Sequence, residues 1–510
     1  MKNNYLLGID IGTTSTRTIL IDENGNLLAS STSDYELITL KPGWVEQNPD
    51  DWWTATVKTI KDVIEKTNIS PRDIACIGLS GQMHGSVFLD NKGKIIRPAI
   101  LWCDQRTYSQ CEKIYKIFGQ DSFIKLSYNK ALPGFTAPKI LWLKEIEPEN
   151  YSKVEKILLP KDYIRYRLSN TYATEVSDAS GTILMDIPSR DWSEEILNGL
   201  NINKDLLPQV YESVEVTSKV SRVASSLTGL AQGTPIVGGG SDNAAGAVGS
   251  GIVRDGLISD SIGTSGVVFT HSDRPLYDPK GRVHSFCHAV VKGKWHLTGV
   301  TLSAAGSLRW YYDTFGPSSS IRKKYPNIKD YELLNKQAES IPPGSEGLIF
   351  LPYLSGERTP HADPYARGVF FGISYLHTQD HFIRSIMEGV AFSQLDCLSL
   401  MRELGIIQDK IVLFGGGSKS SIWIQIIADI LNLKVTTLNI EEGPAYGAAL
   451  IAGVGSGIYG SVEEACSKTI KEDSKINPIK ENVKRYEKIY EIYKSLYENL
   501  KEDFRKLDTM

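Results

Sequence analysis

No run of 18 apolar residues occurs anywhere in the 510-residue sequence, so it holds no candidate membrane-spanning helix. Met1–Asp10 contains no apolar core long enough for a secretory leader before the acid interrupts it, and a cytoplasmic location is expected. Cysteine is sparse. Its six residues, at 76, 103, 111, 287, 397 and 466, form no C-x-x-C pair, which points to reduced thiols rather than a disulfide framework. Neither sign of charge dominates, with 56 Lys and Arg against 60 Asp and Glu and a formal net charge of −4. Nucleic acids and anionic membranes select basic surfaces, so neither partner is expected. The pattern G-x-x-x-x-G-K-[ST] is missing, which excludes a Walker-type phosphate loop. One G-x-G-x-x-G occurs, at Gly455, Gly457 and Gly460. It follows the small-residue helical stretch Ala445–Gly453 rather than a strand, and it reads as a loop.

What is there is ordinary globular composition, 41% hydrophobic and 23% charged. At about 150 residues per domain the length suggests roughly two to four domains. Short apolar runs alternate with helical patterns, the mark of α/β architecture. Tyr5–Asp10, Ile19–Asp22 and Leu27–Ser30 read as consecutive strands, with Asn24-Gly25 as a hairpin turn. Asp51–Glu65 reads as a helix burying Trp52, Val57, Ile60 and Ile64, followed by a strand at Ile74–Leu79. The opening recurs: Ile9–Ser15 resembles Asp260–Gly266, with Gly12 and Gly263 lying 263 − 12 = 251 positions apart. Similarity at half-length suggests two lobes built on one plan. Near the end, Ile489, Tyr493, Leu496, Leu500, Phe504 and Leu507 mark an amphipathic helix docked on its own domain.

Four segments carry chemistry. In Asp10-Ile11-Gly12-Thr13-Thr14-Ser15-Thr16 an acid ends a strand beside a turn of glycine and hydroxyls. Such a turn suits phosphate, and the carboxylate suits magnesium; a plain hairpin turn is the alternative. Gly238-Gly239-Gly240-Ser241-Asp242-Asn243 places Asp242 at a strand-to-helix junction. A capping Asp would sit there too, but three glycines in a row make capping alone improbable. Gly415-Gly416-Gly417-Ser418-Lys419-Ser420 links the strand Ile411–Phe414 to a helix, as a nucleotide site or a simple connection. Gly81-Gln82-Met83-His84-Gly85 follows a strand at its carboxyl end, where ligands sit in open α/β sheets. In His284–His288, alternation puts the two histidines on one strand face and Cys287 on the other, so a zinc site is not expected.

Taken with Leu101–Thr107 (L-W-C-D-Q-R-T), Leu159–Tyr163 (L-P-K-D-Y), Ser303–Ser307 and Leu354–His361 (L-S-G-E-R-T-P-H), these segments resemble the sugar kinases of the FGGY family. That family lies within the actin-like ATPase group, and the likeness runs from about Leu6 to about Gly453. It implies an α/β fold of two ribonuclease-H-like domains facing a central cleft, with residues 1–251 binding sugar and 252–510 binding ATP. It also implies ATP-dependent phosphorylation of a ketose, D-xylulose by the nearest likeness, with gluconate, L-ribulose or glycerol as alternative acceptors. A non-catalytic actin-like module is a more distant rival.

By that resemblance Met83, His84, Trp102, Asp104, Asp242 and Asn243 would line the sugar site, and Asp242 would be the base. Asp10 would hold Mg²⁺, while Thr13, Thr14, Gly263, Thr264, Gly415, Gly416, Gly417 and Ser420 would contact ATP. The helix start at Asp242 would favour its ionised form. Ser241 stands where a fourth glycine is common and Cys103 where Asn is frequent, both beside the sugar pocket. A small-molecule ketose and ATP are the expected partners, with a homodimer as the candidate assembly.

Overall fold

The computed structural model describes residues 4–290, 293–317, 321, 328–438 and 443–508. The opening apolar runs form strands Tyr5–Ile11, Ser15–Ile21 and Leu27–Asp34. Between the last two, Gly25 turns the chain at φ 82°, a left-handed conformation that favours glycine. These strands join a seven-stranded sheet in the order Val216–Lys219, Pro235–Val237, Ile74–Gly81, Tyr5–Ile11, Ser15–Ile21, Leu27–Asp34, with Gly240–Ser241 pairing Ile74–Gly81 off this path.

The second seven-stranded sheet repeats the plan. Its order is His284–Cys287, Trp295–Thr301, Gly266–Ser272, Leu257–Ile262, Lys410–Phe414, Lys434–Leu438, Glu472–Ile476. Tyr5–Ile11 pairs antiparallel with the strand after it and parallel with Ile74–Gly81. Leu257–Ile262 likewise pairs antiparallel with the strand after it and parallel with Lys410–Phe414. Each connecting turn starts at a glycine whose amide closes it at 3.0 Å, from Gly12 to the Ser15 carbonyl and from Gly263 to the Ser265 carbonyl, the second turn being one residue shorter. The half-length similarity therefore extends over six strands of each sheet, with Gly240–Ser241 and His284–Cys287 as the unmatched seventh strands.

Helix Pro49–Thr67 starts at Asn48, whose side chain accepts from the Asp50 amide, and buries Trp52, Trp53, Ile60 and Val63. Helix Gly443–Gly455 reaches the first sheet at its glycines. A Cβ on Gly8 would lie 2.0 Å from the Ala445 carbonyl oxygen, and one on Gly78 would lie 1.9 Å from that of Ala448. Residues 445–466 thereby share one apolar core with Leu6, Ile19, Cys76 and Val237. The sheets change over between Ser241 and Leu257, whereas the core runs across that point. Gly455 ends this helix and Gly457, at φ 78°, turns away from it, so the G-x-G-x-x-G lies in a helix end and loop.

Helix Lys480–Asp508 buries Tyr486, Tyr493, Leu496 and Phe504 in the second core, while Leu507, expected on that stripe, is 58% exposed. Among the described residues no helix is long and apolar enough to cross a membrane, and all six cysteines are free.

Candidate active site

The chemistry collects where parallel strands of each sheet end. In the first sheet Asp10 pairs with Ser80, and Ser241 pairs with Gly81 on the other side of the same strand. One strand thus separates the Asp10 and Asp242 chain segments, a spacing of roughly 10 Å between backbones. Asp10 is half-buried, and its Oδ1 is enclosed without a hydrogen-bond partner. Burial pushes its carboxyl up to about 6, while the Ser80 hydroxyl and the Arg17 charge draw it back.

Asp242 is the first residue of helix Asp242–Gly249, but Ser241 caps that helix, its Oγ accepting from the Ala244 amide at 3.3 Å. The Asp242 carboxylate is left for another task. Its Oδ1 accepts from the Asn243 amide at 2.7 Å and from Asn243 Nδ2 at 3.0 Å. Burial and then the neighbouring Asp10 charge push it up to about 7, against the pull of Asn243. The ionised state expected from the helix start is thus opposed by desolvation and a like charge, and these win.

The G-Q-M-H-G segment forms the adjacent wall. His84 adopts φ 67°, an uncommon conformation for a non-glycine residue. Its carbonyl accepts from Thr136 Oγ1 at 3.1 Å and from the Lys139 ammonium at 2.9 Å. Its Nδ1 lies 2.7 Å from the Gly181 carbonyl oxygen, and burial drives the imidazole well below its ordinary range. A neutral ring meeting a carbonyl must donate from Nδ1, which leaves Nε2 as an acceptor. Met83 is buried, and its sulfur accepts from Asn243 Nδ2 at 3.5 Å, linking the two segments. Gly181 packs behind both: a Cβ there would lie 2.6 Å from Met83 Cε and 2.9 Å from the His84 ring.

Trp102 stays 39% exposed and donates from Nε1 to Thr13 Oγ1 at 3.0 Å, so the first turn touches the wall opposite. Thr14 is exposed at the tip of that turn. Asp104, by contrast, is 0% exposed. It accepts from the Val45 amide at 2.7 Å and from Arg106 Nε and Nη2 at 3.0 and 2.7 Å. Arg106 in turn lies over the Trp44 ring at 3.8 Å.

The second sheet presents the matching edge. Gly263 and Thr264 cap Leu257–Ile262, and their carbonyls accept from the Ala305 and Ala304 amides at 2.8 Å each, so the turn sits on the start of helix Ala305–Phe315. Thr264 is exposed. On the neighbouring parallel strand, Gly415 takes φ 85°, and Gly416–Lys419 forms a single tight turn. Ser420 caps the next helix through the Trp423 amide and donates to Asn335 Oδ1 at 2.7 Å. The His284–His288 stretch bonds elsewhere: His284 Nδ1 to Asn129 Oδ1, His288 Nε2 to the Ile252 carbonyl, and Cys287 Sγ to the Ile187 carbonyl.

Each sheet thus carries a glycine-and-hydroxyl turn of the kind that suits phosphate, and the first sheet adds carboxylates at its strand ends. The family models agree. Residues 5–249 match the N-terminal domain, and residues 259–456 the C-terminal domain, of the FGGY family of carbohydrate kinases. The chain belongs to that family. This carbohydrate kinase is 41% identical over 498 residues to the xylulose kinase of Bacillus subtilis, covering 98% of this chain and 97% of that one. It is 31% identical over 505 residues to the gluconokinase of the same organism, covering 99% and 98%. The crystal structure of the Brucella ovis xylulose kinase superposes with a TM-score of 0.89 at 33% identity, covering 98% of the kinase and 99% of that chain.

Lys139 of the kinase also belongs to the G-Q-M-H-G wall, donating to the His84 carbonyl. Its signal was local: one lysine inside the otherwise apolar stretch Ala137–Leu143. The side chain is fully buried, and desolvation lowers its ammonium to about 7 against the pull of Asp104.

Proposed function

We propose that the kinase transfers the terminal phosphoryl group of ATP to a hydroxyl of D-xylulose, with Asp242 as general base. The observation that carries this reading is the Asp242 carboxylate itself. It is half-buried, released from capping by Ser241, oriented by Asn243, and raised to about 7. A base works best when its pKa lies near the operating pH, and the ionised fraction of a carboxylate poised there can take the acceptor's proton as the new bond forms. The enclosed, unpartnered oxygen of Asp10 suits a hard divalent cation, and we assign Mg²⁺ to Asp10. When bound, Mg²⁺ neutralises charge on the phosphate oxygens.

Around that centre each side chain has a stated task. His84 Nε2 accepts a sugar hydroxyl, Asn243 and Met83 close the adjoining wall, and Trp102 covers the open side. Asp104 is taken up by the Val45 amide and Arg106 rather than touching the sugar. Thr13 and Thr14 meet the phosphates from the first sheet, and Gly263, Thr264, Gly415, Gly416, Gly417 and Ser420 hold the nucleotide on the second. Division of labour follows the two sheets, with residues 1–251 for sugar and 252–510 for ATP. The higher identity to a xylulose kinase than to a gluconokinase supports the ketose as acceptor. A coupled ADP-release assay across D-xylulose, L-ribulose, gluconate and glycerol tests it. Turnover highest on D-xylulose is expected; preference for gluconate would overturn the acceptor, and ADP release independent of any sugar would overturn the kinase reading of the site.

A further inference from the structure

The segment leading to Asp242 contains three glycines, so it has no side chains with which to hold its own shape. Yet both of its ends are gripped from one buried cluster. At the start, Arg165 donates from Nη1 to the Val237 carbonyl at 2.5 Å and from Nη2 to the Gly238 carbonyl at 2.6 Å. At the finish, the Ser241 amide donates to Ser177 Oγ at 2.9 Å, one residue before the base. Ser177 Oγ itself donates to Glu175 Oε1 at 2.8 Å.

Lys161 joins the two grips. Its ammonium lies 2.8 Å from Asp162, 3.0 Å from Asp178 and 3.5 Å from Glu175, and Asp162 lies 3.5 Å from Arg165. All five charged side chains have 0% exposure. Buried ion clusters seldom stabilise a fold more than apolar packing of the same volume, so stability alone does not account for this one. The same short helix, Val176–Ser180, also supports the sugar wall and the second sheet. Beyond its end the Gly181 carbonyl holds His84, and Ser180 Oγ accepts from the Cys287 amide at 3.2 Å.

We propose that this buried charged bracket positions the base, with Arg165 and Ser177 as positioning residues that fix the glycine loop and thereby the Asp242 carboxylate. The proposal rests on the reading of Asp242 as general base. Neither residue touches substrate; each acts through backbone groups of the loop. Small displacements of a reacting group are costly, on the order of 100-fold for about 1 Å. Loosening the loop also admits water to the Asp242 carboxylate, which lowers the pH at which it ionises.

Ser177→Ala tests this in the full-length enzyme, beside Asp242→Asn and Ser213→Ala. Ser213 Oγ donates to the other oxygen of Glu175 at 2.8 Å, so its removal deletes a buried hydroxyl from the same cluster while leaving the Ser241 amide and the Ser213 carbonyl, which accepts from the Gly239 amide at 2.8 Å, in place. In Ser177→Ala, kcat is expected to fall roughly 10- to 100-fold with both KM values within about twofold, and the acid limb of the pH–rate profile to move to lower pH. Ser213→Ala should keep kcat and the limb near those of the parent. Unchanged kcat and limb in Ser177→Ala, with or without a lower Tm, would overturn the bracket if Asp242→Asn is inactive. Equal losses in Ser177→Ala and Ser213→Ala would reduce the cluster to a folding element and overturn it too. Near-normal turnover in Asp242→Asn would remove the base reading, and the bracket with it.

Discussion

Removing the Asp10 charge should move the pH at which the kinase becomes active, in a direction the geometry dictates. Asp242 stands at about 7 because burial and Asp10 both oppose its ionisation. If the ionised carboxylate is the base, about a tenth of it is ready at pH 6 and about nine-tenths at pH 8, so kcat/KM should rise roughly tenfold across that span. The two acids are coupled, so the apparent value belongs to the pair. Asp10→Asn deletes the like charge and leaves the burial. At a separation of roughly 8–10 Å and an effective dielectric of about 20, that repulsion amounts to about 2 kcal/mol, or roughly one and a half pH units. In kcat/KM, which reports the enzyme before Mg²⁺ and ATP bind, the acid limb should therefore shift down by about one and a half units in Asp10→Asn, while plateau turnover and the response to Mg²⁺ both weaken and sugar KM holds. Initial rates from pH 5 to 9, at saturating and limiting Mg²⁺, supply the data. A limb that stays put or moves up would refute the coupling, and an unchanged magnesium titration would refute the metal assignment.

Three further outcomes follow from the walls of the site. His84→Ala removes the neutral acceptor Nε2 while the sugar hydroxyl stays buried, a loss of about 1–3 kcal/mol, so the sugar KM should rise roughly 5- to 150-fold with little change for ATP. A loss confined to ATP affinity would reverse the assignment of sugar and nucleotide to the two sheets. Gly181→Ala forces a methyl toward Met83 and the His84 ring, which sit 2.6 and 2.9 Å from its position. It should raise the sugar KM with ATP KM unchanged, and parent-like sugar kinetics would separate those two residues from the pocket. Asp242→Asn should melt above the parent at pH 8 and level with it near pH 4. A carboxyl raised in the folded state lowers stability progressively as pH climbs from its unfolded value through about 7. The ceiling is about 4 kcal/mol, reduced by the solvent that reaches this half-buried group.

Local signals in the sequence were reliable, and long-range ones were not there to be read. Gly12 and Gly263 announced the duplication because each opens the turn between the two antiparallel strands that begin its sheet's plan. The three glycines before Asp242 correctly argued against a simple cap. The cap is Ser241, one residue earlier, where a hydroxyl does the same work. The groups that oppose ionisation of Asp242 were out of sight, since Asp10 lies 232 residues away in the chain and only the sheet brings them near. Asp104 is taken up by Val45, 59 positions distant, and Arg165 grips a carbonyl 72 positions on, pairings no spacing rule reveals. Lys139 was within reach, because a lone cation in an apolar helix requires a buried partner.

The central claim is that Asp242 takes the proton of the acceptor hydroxyl, and single-turnover phosphorylation of D-xylulose by Asp242→Asn tests it most directly. The amide keeps the size and the contact with Asn243, so ATP and sugar should bind as in the parent. Loss of the base should slow the chemical step by about 10²- to 10⁴-fold. A phosphoryl-transfer rate within a few-fold of the parent, with both substrates bound, would contradict the account.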